Sequence, residues 1–298
     1  MNDSVKKVGF IGIGNMGWPM AGNLVKAGFE VAVHDADPER TRRFCAEHTA
    51  TAPGLAMLAR SDVVVTMLPD GHVVRKVLIE AEQGSFLDNA GFGLLIIDMS
   101  SSEPTGTREL GRLLHEKGIV LIDAPVSGAV PRATTGTLTI MIGGDDPVGI
   151  ERARVVLQAM GNRLFETGGS GTGHAAKALN NFLGATSFAA ASEAVLIAQR
   201  FGLDPATLVD ILNVSTGKSF ISEVVMKEHV LDGKFASGFK LGLLAKDVKI
   251  AEGLGRAVGL DAPLLRLVSD RWARACEQIG FDADNTEAFQ SWQDNLTE

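Results

Sequence analysis

Two hydrophobic periods divide the chain. Up to about residue 165, the short apolar runs "KVGFIGI", "EVAVHD", "DVVVTML", "LLIIDM", "IVLIDA" and "TLTIMIGG" alternate with helix-compatible stretches, the first a helix from Asn15 to about Ala27. Near-continuous apolar strands of this kind belong to a parallel sheet covered on both faces. Their alternation with helices predicts a doubly wound α/β domain over residues 1–165. After about Phe165 the strand pattern stops. Residues 173–201 carry one long helical pattern closed by "RFG". "DPATLVDILNVS" opens another helix, with Asp204 as N-cap and Pro205 in the first turn. "FKLGLLAKDVKIAEGLGRAVG" and "APLLRLVSDRWARACEQIG" complete an all-α domain over residues 166–298, and "ETGGSGTG" is expected to act as a glycine-rich hinge.

Composition narrows the function classes. With 298 residues, 45% hydrophobic and 21% charged, the chain has an ordinary globular make-up, which excludes disorder. A net charge of -8 without a long basic run argues against nucleic acid and anionic membrane surfaces as partners. No run of about 18 apolar residues suggests a membrane span. The lead "MNDSVKKVGFIGIG" enters a strand too quickly for a signal peptide. Cys45 and Cys276 are far apart, so a disulfide framework is not expected and a reducing, cytoplasmic compartment fits. His34, His48, His72, His115 and His229 have no metal-ligand spacing, and no metal site is expected. Tyrosine is absent, which excludes a tyrosine hydroxyl as a proton relay.

The first strand runs into "GIGNMG", with Gly12, Gly14 and Gly17 in G-x-G-x-x-G spacing. In this pattern the first glycine permits the tight turn, the second admits a pyrophosphate to the backbone, and the third lets helix pack on strand. Amides at the helix entrance, around Asn15 and Met16, face the anion. The second strand ends in Asp35, placed to accept the ribose hydroxyls and repel a 2′-phosphate, so NAD is favoured over NADP. Arg40, Arg42 and Arg43 follow and read as a solvated helix face. Leu68 and Pro69 in "MLPDGHVV" lie beyond a strand end, where ligands sit in such sheets, although a proline turn explains them equally. Ser100, Ser101 and Ser102 form a candidate N-cap cluster ahead of Pro104. Ser127 and Gly128 centre the loop "DAPVSGAVPRATTG", whose amides and hydroxyl suit a small carboxylate.

Taken in order, "GFIGIGNMGWPMAGNLVKAG", "DMSSSEP", "DAPVSGA…GTLTIMIGG", "GTGHAAKALNN" and "FKLGLLAKDVKIA" resemble the 3-hydroxyisobutyrate dehydrogenase family of β-hydroxyacid dehydrogenases from about Lys7 to about Gly280. The resemblance implies a Rossmann-like domain joined by a long helix to an all-α domain, with the active site between them. It implies that Lys177 is catalytic, that Asn181 binds substrate, and that Ser127 and Gly128 hold its carboxylate. Leu68, Pro69 and Ser101 would touch the nicotinamide half of NAD, Lys246 would close over the cofactor, and Asp247 would support it. A homodimer or homotetramer is likewise implied. The chain departs from the family pattern at Ala129, where "SGG" is common, and at Ser100–Ser101, where Ser-Thr is common.

The chemistry fits these residues. Alcohol oxidation needs a hydride acceptor and a base for the hydroxyl proton. A free lysine, with a pKa of about 10.4, is a poor base near neutrality; partial burial and a nearby cation are expected to lower that of Lys177. Lys177 and Asn181 share a helix face at i and i+4. His174 is the rival base, disfavoured because no nearby motif supplies a carboxylate to orient it. The expected activity is oxidation of a small β-hydroxy acid, 3-hydroxyisobutyrate first, with tartronate semialdehyde, serine and threonate as alternatives. A non-catalytic NAD-binding module and an imine reductase are the rivals from other classes, and Lys177 counts against both.

Overall fold

The computed structural model describes residues 5–80 and 86–294; the first four residues of the polar lead lie outside them. The elements run β1 (Lys7–Ile11), α1 (Gly17–Lys26), β2 (Glu30–His34), α2 (Pro38–Glu47), β3 (Ala50–Thr51), α3 (Leu55–Leu58), β4 (Val63–Thr66), α4 (Gly71–Arg75) with a π-helical continuation to Glu80, α5 (Phe86–Asn89), β5 (Leu95–Asp98), α6 (Pro104–His115), β6 (Val120–Asp123), β7 (Val126–Ser127), α7 (Ala129–Thr135), β8 (Leu138–Gly143), α8 (Pro147–Leu157) and β9 (Gly161–Gly168). Helices follow: α9 (Thr172–Phe201), α10 (Pro205–Asn213), a π-helical segment Ile221–Leu231, α11 (Leu241–Ala257), α12 (Pro263–Ile279), a 3-10 turn Asn285–Glu287 and α13 (Ala288–Asp294).

The strands form one sheet in the order β3-β2-β1-β4-β5-β6-β8-β7, with β9 also paired to β8. From β3 to β6 all neighbours are parallel; β8 meets β6 and β7 antiparallel and β9 parallel. Successive strand residues serve opposite faces. Val63, Val65, Leu95, Ile97 and Ile122 join α1, α2 and α8 in one core. Val64, Ile96 and Leu121 join α3, α4, α5 and α6 in another. Burial on both faces is what makes these strands read as unbroken apolar runs.

Aspartates start the helices. The side chains of Asp37, Asp70, Asp146 and Asp204 accept amides in the first turns of α2, α4, α8 and α10, and proline follows at once in three of the four. The serines ahead of Pro104 behave differently from expectation. Glu103 is the N-cap of α6 and makes no side-chain cap, while Ser100 donates its amide to Asp98 and accepts the Leu68 amide on Oγ, and the Ser102 hydroxyl donates to Asp98.

Two compact units divide the chain, residues 1–177 and 178–298. The division expected at 165/166 therefore falls inside β9, which pairs with β8 through Gly168. The glycine-rich segment after it is tied to the sheet by two amide hydrogen bonds to Asp123, so it is not the hinge its composition suggested. In the second unit the core centres on Trp272, which meets Phe188 and Trp292 at ring separations of 5.6 and 5.2 Å and donates to the Ala185 carbonyl. By length and composition α9 could cross a membrane, although its apolar residues are interrupted by polar ones; Ala185, Phe188, Val195 and Leu196 of this helix belong to the second unit's core.

Ala129 stands out in the first unit. It adopts φ +52°, directly after Gly128 at φ +136°, in the left-handed region that disfavours a Cβ by about 1 kcal/mol or more. Ala129→Gly is therefore expected to raise stability by roughly 0.5–1 kcal/mol. A thermal melt that is unchanged or lowered would show that the glycine's extra unfolded-state freedom cancels the relief.

Candidate active site

The glycine loop divides its three glycines by role. Gly12 takes φ +93°, and a Cβ there would lie 2.3 Å from the Met67 carbonyl oxygen. At Gly17 a Cβ would lie 1.9 Å from the Gly12 carbonyl oxygen, while at Gly14 it would meet nothing within 4 Å. Packing of the protein itself thus requires the first and third glycines and leaves the second open, as a pyrophosphate approaching the backbone needs. α1 begins at Gly17, with Met16 as its N-cap and Asn15 in the turn before it; its first amides are the anion-facing end.

Asp35 closes the loop from the side. One of its oxygens accepts the Ile13 amide at 2.9 Å, and the other accepts the Asp37 amide at 3.0 Å and Arg40 Nη1 at 3.2 Å. Arg40 is therefore an ion-pair partner of the ribose-reading position and not part of a purely solvated face. Arg42 pairs with Glu39, and Arg43 lies over the Trp18 ring. Neighbouring His34 has its pKa lowered by burial, a shift that Asp35 partly opposes.

The loops after β1, β4 and β5 converge. Leu68 Cδ2 lies 2.9 Å from where a Gly12 Cβ would stand, and the Leu68 amide donates to Ser100 Oγ at 2.9 Å. Leu68 is half-buried, Pro69 exposed and Ser101 half-buried on this edge. Beneath it the parallel register sets Thr66 beside Asp98 and Asp98 beside Asp123. Asp98 accepts Thr66 Oγ1 at 2.9 Å, the Ser100 amide at 3.0 Å and Ser102 Oγ at 2.9 Å. Asp123 accepts the amides of Gly171 at 2.7 Å and His174 at 2.9 Å, so a sheet residue caps the start of α9.

His174 is buried among these groups, with Asp98 2% and Asp123 0% exposed. Its Nδ1 lies 2.8 Å from Thr107 Oγ1, which also lies 3.0 Å from the Glu103 carbonyl; which of the two atoms carries the proton of the ring contact is set by the tautomer. Nε2 lies 3.7 Å from Asp98 Oδ2, beyond hydrogen-bond distance. The sequence around His174 offers no carboxylate; in the structure Asp98 and Asp123 lie 3.7 and 3.9 Å from its ring nitrogens, because two strand-terminal aspartates distant in sequence are adjacent in register. Both aspartates were visible as single charges ending apolar runs. With 1% exposure, His174 is packed inside the first unit. Three residues on, Lys177 is half-buried.

Ser127 ends β7, paired with Thr139 of β8, and is half-buried; Gly128 begins the turn into α7. In the second unit, Asn181 donates through Nδ2 to Asp247 Oδ2 at 2.6 Å, and Lys246 Nζ lies 3.2 Å from Asp247 Oδ1. Asp247, 3% exposed, thus holds Asn181 and Lys246 together.

The doubly wound sheet, the glycine loop and the acidic end of β2 define a dinucleotide-binding oxidoreductase unit. Comparisons with known proteins agree. Residues 7–169 match the family model described as the NAD binding domain of 6-phosphogluconate dehydrogenase, and residues 171–292 match the NAD-binding of NADP-dependent 3-hydroxyisobutyrate dehydrogenase. The chain is 37% identical to human mitochondrial 3-hydroxyisobutyrate dehydrogenase, over 97% of this chain and 88% of that one. It is 35% identical to 2-(hydroxymethyl)glutarate dehydrogenase of Eubacterium barkeri, over 88% and 87%. The solved Mycobacterium tuberculosis 3-hydroxyisobutyrate dehydrogenase with L-serine superposes with a TM-score of 0.87 at 32% identity, covering 97% of this chain and 99% of that one. The protein belongs to the 3-hydroxyisobutyrate dehydrogenase family of β-hydroxyacid dehydrogenases. Its activity class is accordingly nicotinamide-dependent oxidation of a β-hydroxy acid.

Proposed function

We propose that the protein oxidises 3-hydroxyisobutyrate to methylmalonate semialdehyde, with Lys177 as general acid/base. The observation that carries the assignment of Lys177 is its place: a half-buried lysine in the opening turns of a helix whose start is fastened to the strand ends through Asp123. Substrate choice rests on the relatives. 3-Hydroxyisobutyrate, 2-(hydroxymethyl)glutarate and serine, which appear in their names, share a hydroxymethyl group on the carbon next to a carboxylate.

Bound nicotinamide supplies the hydride acceptor. The residues proposed to hold the cofactor are Gly12, Gly14, Asn15, Met16 and Gly17 at the pyrophosphate, Asp35 at the ribose, and Leu68, Pro69 and Ser101 at the nicotinamide half; the family resemblance adds Lys246. The alcohol C–H leaves as hydride while the O–H proton passes to the Lys177 amine; in the reverse direction the Lys177 ammonium protonates the alkoxide. Ser127 and Gly128 are assigned to the substrate carboxylate and Asn181 to its orientation, with Asp247 fixing the Asn181 amide.

Reduction of NAD by purified protein across 3-hydroxyisobutyrate, 2-(hydroxymethyl)glutarate, serine, threonate and glycerate tests this reading. The largest kcat/KM is expected with 3-hydroxyisobutyrate. A larger value with any other acid replaces the substrate, and no turnover with any of them overturns the substrate assignment. We further propose a cytoplasmic homodimer or homotetramer, supported by free Cys45 and Cys276 and by exposed Leu183, Ile197 and Phe201 on α9; light scattering reads the mass.

A further inference from the structure

Gly128 has to be glycine for two reasons, and one of them is a side chain. Its φ of +136° disfavours an L residue. A Cβ there would also lie 2.6 Å from Arg132 Cδ, 2.7 Å from Arg132 Cβ and 3.1 Å from Arg132 Cγ. Arg132 follows four residues later in α7, and its amide donates to the Gly128 carbonyl at 3.3 Å. Helical side chains lean back toward the start of their helix. The arginine stem therefore lies along Gly128, on the side where a side chain would project. The guanidinium begins one bond past Cδ. Arg132 is exposed, and among the described residues no hydrogen bond or ion pair engages its side chain. It is also the one charged residue between Asp123 and Asp145.

We propose that Arg132 forms a second anionic subsite beside the carboxylate loop, so that the protein also takes β-hydroxy acids whose α-substituent ends in another carboxylate. The first carboxylate is assigned the Ser127 hydroxyl and the loop amides. The guanidinium stands on a different side of Gly128 from the amide of that residue, with its fork unengaged. A carboxylate suits that fork through paired, charge-assisted hydrogen bonds. No acidic residue on α7 competes for it. An acid without the second group leaves the guanidinium in water and remains a substrate. Because the pair forms at an exposed position, its contribution is modest and screened by salt. The inference rests on the assignment of Ser127 and Gly128 to the substrate carboxylate and extends it to a class of substrate.

Two pairs of acids test it, the members of each differing by one carboxylate on a methyl group. 3-Hydroxyisobutyrate and 2-(hydroxymethyl)succinate are compared in turnover with NAD+. Isobutyrate and methylsuccinate, which lack the reacting alcohol, are compared by calorimetric binding to the protein–NADH complex. Arg132→Gln keeps the Cβ, Cγ and Cδ atoms that lie on Gly128 and removes the charge. It is expected to weaken methylsuccinate, and to lower kcat/KM for 2-(hydroxymethyl)succinate, by about fivefold. Isobutyrate and 3-hydroxyisobutyrate should stay within about twofold of wild type. Arg132→Lys should fall between, and added salt should weaken methylsuccinate more in wild type than in Arg132→Gln. Melting curves of the three proteins are expected to coincide. The proposal is overturned if Arg132→Gln weakens both members of a pair alike, which makes the arginine a partner of the first carboxylate, or weakens neither. Failure of the substrate reading shows separately, as no turnover of either alcohol by wild type, while the calorimetric pair still reads the guanidinium.

Discussion

Lys177→Met is expected to lower kcat by about 10²–10⁴-fold while NAD affinity stays within about twofold of wild type. Methionine keeps an unbranched apolar stem of nearly the length of lysine and removes the amine, so helix α9 should keep its start on the sheet. Loss of turnover with intact cofactor binding identifies the amine as the group that moves the proton. The pH profile gives a second readout: if a fraction of activity survives, it should lose the limb that reports the base in wild type. A variant as active as wild type would sink the assignment. His174 would not then inherit the role directly. Its burial among Asp98, Asp123 and Thr107 places it within the sheet domain's interior, and a substrate could reach it only after that packing opened.

Asp123→Asn is expected to be the most destabilising single exchange of a polar residue in the first unit, by about 3 kcal/mol. Both Asp123 oxygens accept backbone amides, one from Gly171 and one from His174. An asparagine presents one oxygen and one NH2 group, so one amide loses its acceptor and faces a donor instead. The surroundings leave no space for relief: a Cβ at Gly173 would lie 2.8 Å from Asp123 Oδ2, and one at Gly143 would lie 2.7 Å from Oδ1. Urea unfolding followed by circular dichroism measures the cost. A loss under about 1 kcal/mol would mean that water reaches these amides. The same variant should lower kcat more than it raises KM for cofactor, since the start of α9 would lose its anchor while the glycine loop would not.

Much of the architecture was legible in the chain because burial on both sheet faces leaves a one-dimensional trace. β4 and β5 are apolar at consecutive positions and are buried at every one. The aspartate-proline helix starts were legible for a similar reason, as a cap acts over two or three residues; Asp204 accepts the Thr207 amide as expected. Long-range pairing has no such trace. Nothing near Asp123 in sequence announces Gly171, 48 positions away, and nothing near His174 announces Asp98. Composition also misled. "GGSGTG" is flexible by content, yet close packing demands its glycines: a Cβ at Gly171 would sit 2.6 Å from the Pro104 carbonyl oxygen, and one at Gly173 would sit 2.4 Å from that of Met141. At the cofactor loop, spacing located all three glycines but could not separate two that serve internal packing from Gly14, which does not. Arg40 was misplaced because helix periodicity records which face is polar and not which acid a long side chain reaches.

The bonds from Asp123 to the opening turn of α9 also bear on how this protein can be cut apart. A fragment ending at residue 165, where hydrophobic patterning alone would place the cut, discards the pairing of β9 with β8 beyond Phe165 and both amide donors of Asp123. A fragment ending at Lys177 keeps them. Twelve further residues therefore decide whether a nucleotide-binding half carries every partner that its own sheet-end carboxylate uses in the whole protein.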